Sequence, residues 1–133
     1  MKKLIIKKLS VDEKTESLRF YASLSEDQQA TLGTPEEYLN NNSNQTFLAV
    51  QGIKDSQPWQ IDQDAIDMLE LLEKLKNCKD DFIILDDKYI KVLLKKKATA
   101  KTPGKHLQLV IDVVKSFENA VEFDPAKTAD TEA

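Results

Sequence analysis

"DDFIILDDKYIKVLLKKK", residues 80–97, decides how this chain folds. Four apolar residues, Phe82 to Leu85, lie between two pairs of aspartates. A second apolar group follows, and three lysines close the stretch. The four-residue run has the length of a short buried strand. Asp86 then caps a helix beginning at Asp87, with Leu85 before the cap and Ile90 four residues after it forming a hydrophobic staple. Lys95, Lys96 and Lys97 complement the negative end of that helix. The stretch therefore reads as turn, buried strand, capped helix and basic helix end.

The aspartates invite a metal reading, which their spacing argues against. Calcium takes six to eight oxygens on a sharply turning loop, usually one containing glycine. An extended Phe82–Leu85 run holds the two pairs more than about 10 Å apart, at roughly 3.3 Å per residue. No metal site and no cofactor are expected.

Upstream, Asp62 is the cap of a helix over 62–77, with Ile61 and Ile66 as its staple. Ala65, Met68, Leu69, Leu72 and Leu75 share one face, and Ile66 and Leu71 widen it to roughly 220° of arc, more than a surface helix needs. Such a helix packs against two layers or keeps part of its face for a partner. Trp59, the only tryptophan, sits in the polar connection just before it. There it is either a lid over the core or an interface anchor. Trp59, Ile66 and Leu71 are the expected partner contacts.

Downstream, Pro103-Gly104 breaks the chain. A helix over 106–121 then gathers Leu107, Val110, Ile111, Val114, Phe117 and Val121 on one face. The segment 122–133 is a polar tail beyond a single domain of 1–121. At the start, 2–11 alternates loosely and reads as a strand with lysines on its rims. Residues 15–41 are helical in pieces, with a capping box at Ser25–Gln28 and a start signal at Thr34, Pro35 and Glu37. A loop is expected at 40–44 and a strand at 45–53. The whole predicts an α+β fold. A small sheet from 2–11, 45–50 and 82–85 packs against three or four helices.

The chain has 133 residues, 41% of them hydrophobic and 32% charged, and a net charge of −4. That is enough for one core burying roughly two-thirds of the unfolded surface, and it carries no global attraction to a polyanion. One cysteine, Cys78, allows no internal disulfide, so a reducing, cytoplasmic setting is expected. The longest N-terminal apolar run, Leu4 to Ile6, is too short for a signal sequence, and no membrane span is expected.

Chemistry is sparse. His106 is the only histidine and three glycines are too few for a phosphate-cradling loop. No nucleophile context or small-molecule substrate site emerges, so the chain is not expected to be an enzyme. Between Lys88 and Lys105 there are seven lysines and no acidic residue. Lys91, Lys95, Lys96, Lys97, Lys101 and Lys105 are the candidates for phosphate contact. Against that reading stand the absence of Arg and the single aromatic, Tyr89. An acidic stripe of Asp62, Asp64, Asp67, Glu70 and Glu73 supports a third reading, a small inhibitor of a basic partner protein.

The "MKKLIIKKLSV" start, "MLELLEKL" at 68–75, "FIILDDKYIKVLL" at 82–94 and "LVIDVV" at 109–114 together resemble short structural or accessory proteins encoded by tailed bacteriophages. The resemblance covers about half the chain and leaves an insert-like stretch at 12–58 unmatched. It implies a small, non-enzymatic virion or accessory component and carries no site residues. The expectation is thus a non-catalytic protein-interaction module acting among other protein subunits of an assembly. A nucleic-acid-associated accessory protein is the alternative.

Overall fold

A computed structural model describes residues 1–123; residues 124–133, most of the expected tail, lie outside the described part. The order is β1 (Lys2–Ile5), α1 (Val11–Ala22), α2 (Glu26–Leu32), α3 (Pro35–Ser43), α4 (Gln45–Asp55), α5 (Gln63–Asn77), β2 (Phe82–Leu85), α6 (Asp87–Lys96), α7 (Leu107–Glu118) and β3 (Val121–Glu122). Short 3-10 turns at Lys97–Thr99 and Gly104–His106 flank the break at Pro103. This is an α+β fold, with a three-stranded antiparallel sheet ordered β2-β1-β3.

The opening stretch folds as its residues dictate. β2 pairs with β1 in the register Lys2↔Leu85 to Ile5↔Phe82. The Asp86 carboxylate accepts from the Lys88 N–H as the cap of α6, and Leu85 and Ile90 are both buried in the core. In α5 the Asp62 carboxylate accepts from the Ala65 N–H. The expected staple there does not form, because Ile61 is wholly exposed.

Two other expectations need correction. The strand over 2–11 stops at Ile5, because Ser10 caps α1 with a full capping box to Glu13. The strand at 45–50 is instead the helix α4. The Asn44 side-chain oxygen accepts from the Phe47 N–H, and Thr46, Ala49, Val50 and Ile53 are buried at helical spacing. The expected loop at 40–44 is largely absorbed into α3, which runs to Ser43. The third strand comes from Val121–Glu122, which pair with Lys3 and Lys2. Glu122, in the expected tail, is thereby part of the sheet.

The core is one cluster. Leu4 and Leu85 come from the sheet, Val50 and Ile53 from α4, and Met68, Leu71, Leu72 and Leu75 from α5; α6 and α7 add Tyr89, Ile90, Leu93, Val113 and Phe117. None of the buried residues in this cluster comes from 11–43. Helices α1 to α3 form a peripheral lobe around Tyr21, whose hydroxyl donates to the Gly33 carbonyl at 2.5 Å and whose ring lies 5.3 Å from that of Tyr38. Gly33 sits at φ +85°, where a β-carbon would be strained and would strike the Glu37 side chain.

Candidate functional site

The overwide face of α5 is divided between the core and the solvent. Helices α4 and α6 both pack against it, and Met68, Leu71, Leu72 and Leu75 fill the space between. Leu71, expected to meet a partner, has 0% exposure, so nothing outside the domain reaches it. That expectation is corrected: Leu71 lies in the middle of the buried arc.

Ile66 is different. It is 48% exposed, Leu69 is 60% exposed, and Ile61 just before the helix is fully exposed. At 100° per residue, Asp62, Ile66, Leu69 and Glu73 fall within about 60° of each other and form one line along α5. Apolar side chains occupy the middle of this stripe and carboxylates its ends.

Trp59 is half-buried and packs against the core. Its indole N–H donates to the Lys54 carbonyl at 2.8 Å, and the Lys96 ammonium stands 4.7 Å from the ring centre. Both the polar handle and the ring face have partners inside the molecule, which is the geometry of a lid.

Half of the six candidate lysines are engaged within the molecule. Lys95 binds Asp64 at 2.6 Å, and this pairing holds the Asp64 carboxyl below its usual range and raises the Lys95 ammonium. Lys97 pairs with Glu118, and Lys96 covers Trp59. Lys88 lies 3.9 Å from Glu70. Lys91, Lys101 and Lys105 remain exposed and form no ion pair among the described residues.

The acidic stripe is also divided. Asp67 is buried and accepts from Gln63 at 2.8 Å. Glu70 accepts the Tyr89 hydroxyl at 2.7 Å, and with burial this pushes the Tyr89 phenol up to about 12. Asp62 and Glu73 are left at the solvent.

Cys78 caps the end of α5, where its thiol approaches the Phe82 carbonyl at 3.4 Å. His106 stands exposed before α7. The two line different cavities, with no shared wall. Among the described residues no group of three or more His, Cys, Asp or Glu is placed to hold a metal ion. No described helix is long and apolar enough to cross a membrane.

Two features escaped the sequence reading. The outer face of the sheet exposes Ile5, Phe82 and Val121, with the Lys3 ammonium 4.5 Å over the Phe82 ring. Its signal was available: "KLII" and "FIIL" are apolar on both sides of the strand, too much for a sheet with one buried face. The second is α7. Its buried residues are Val113 and Phe117, while Leu107 and Ile111 are exposed. The helix is turned away from the expected face, and part of that face lines a cleft.

No family model, no curated protein and no solved structure matches this chain.

Proposed function

We propose that the chain is a non-catalytic protein-interaction module that works among other subunits of an assembly. The observation that carries the proposal is the stripe Asp62–Ile66–Leu69–Glu73: two exposed large aliphatic side chains on a helix whose opposite side is core, with a third, Ile61, exposed just before it. Exposed apolar side chains bracketed by carboxylates suit a protein surface that is apolar at its centre and basic at its rim. The resemblance to short proteins of tailed bacteriophages makes a virion or accessory component our choice of assembly. A reducing cytoplasm fits the single cysteine.

The test compares the mass of the purified chain with its mass in extracts of its native source, at low and moderate salt. The expectation is a monomer in isolation that travels with a large particle in the extract, remains on it at moderate salt, and is released by the double substitution Ile66→Glu, Leu69→Glu. A monomer mass in both settings rejects the proposal. Loss of the particle in proportion to the logarithm of salt, with no response to the double substitution, would favour phosphate contact through Lys91, Lys101 and Lys105 instead.

A further inference from the structure

The cleft beside α7 joins an apolar floor to a basic rim. The buried Ile53 of α4 and the partly buried Val110 and Val114 of α7 make its floor, and Leu107 and Ile111 stand exposed at its mouth. Its rim carries Lys97, Lys101, Lys115 and Glu118. Glu118 is taken by Lys97. Lys101 and Lys115 are exposed and have no carboxylate within ion-pair distance among the described residues. An apolar floor under uncompensated cations, on a chain of net charge −4, calls for an occupant with an apolar body and an anionic head.

Its size narrows the choice. The cleft holds ≈ 320 Å³, at the lower end of the roughly 300–1,000 Å³ of small-molecule sites. A single alkyl chain lying over the apolar floor suits a cleft of this size. The segment that forms one wall is anchored: the Lys101 N–H donates to Ser56 Oγ at 3.0 Å and the Gln57 side chain donates to the Lys96 carbonyl at 3.1 Å. The wall is thus held in place without a ligand, as a largely pre-formed site requires.

We infer that this cleft binds a free medium-chain alkyl carboxylate, its chain over Ile53, Val110 and Val114 and its head between Lys101 and Lys115. The site shares no residue with the α5 stripe and stands independently of the assembly proposal.

The probe is sodium decanoate, kept below its micelle concentration and added to the full chain, with amide shifts read by NMR. Saturable shifts confined to residue 53 and to 97–118 are expected. Lys101→Ala with Lys115→Ala should weaken binding by roughly tenfold or more, the scale of a lost charge-assisted contact. Lys91→Ala with Lys105→Ala should leave it unchanged, and decanol should bind more weakly than decanoate by a similar factor. Any of four results overturns the inference: no saturable shift, shifts centred on the outer sheet face or α5, equal binding of decanol and decanoate, or binding to vesicles of anionic lipid with none to free decanoate.

Discussion

Thr46 is a polar side chain with no exposure to solvent, and its Oγ1 accepts from the Lys7 N–H at 2.8 Å. Beside it the Gln45 N–H donates to the Lys7 carbonyl at 2.9 Å. These two bonds stitch the chain leaving β1 to the start of α4. Thr46→Val keeps the shape but strands a buried donor, so it should cost about 1–3 kcal/mol in urea unfolding, and Thr46→Ser less. Tyr89 supplies a pH signature at the same scale. Its hydrogen bond to Glu70, then its burial, push the phenol from 10.0 up to about 12. The neutral phenol is the bound form, so the stability it contributes is fully present below about pH 10 and is lost as pH rises through about 12. Absorbance titration should show one late-titrating tyrosine that disappears in Tyr89→Phe and moves earlier in Glu70→Gln. The residue scale was the hardest to read from sequence. Nothing in "DMLELLEKL" marks Asp67 as buried or Glu70 as Tyr89's partner, because both depend on where α6 lands.

Among elements, α5 gives the sharpest contrast. Leu71→Ala empties a fully enclosed position and should cost about 2–5 kcal/mol in denaturant unfolding. Leu69→Ala, two residues earlier, is exposed and should lie within about 0.5 kcal/mol. Equal losses at both positions would mean that Leu69 is covered in solution. Helices α5 and α6 and strand β2 were legible because local signals agreed: an aspartate cap, an apolar period and a basic end. In α4 the signals conflicted. "QTFLAV" contains β-branched and aromatic residues that favour strands, while its cap at Asn44 and the 46, 49, 50, 53 spacing favour a helix. Tertiary packing against α5 and α7 decided for the helix. In α7 the apolar period marks a helix but not the direction of its core face, since apolar residues cover more of the helix than the core uses.

At the scale of the whole molecule, stability is divided unevenly. The core cluster draws on the sheet and α4 to α7, whereas α1 to α3 bury only Tyr21. Local opening follows buried apolar contact, so amides in 11–43 should exchange with solvent well before those of α5, α6 and β1. Hydrogen exchange read by mass spectrometry or NMR checks this; uniform protection across both parts would contradict it. The stretch 12–58 thus divides in two. Its first part is the peripheral lobe, and its last part, α4, is a load-carrying member of the core.

The lobe also leaves and re-enters through a single doorway. Lys8 and Asn44 form an isolated antiparallel bridge, and the Leu9 N–H donates to the Ser43 carbonyl at 3.2 Å. Residues bridged in this way are only about 5 Å apart, the spacing that a two-residue hairpin turn spans. The intervening chain is therefore topologically a pendant: it can be cut away, replaced by Asn-Gly, and the remaining polypeptide still threads the same core in the same order. Such a shortened chain should fold with the register of β1 against β2 intact. It would separate what the lobe does from what the core does, which no point substitution can.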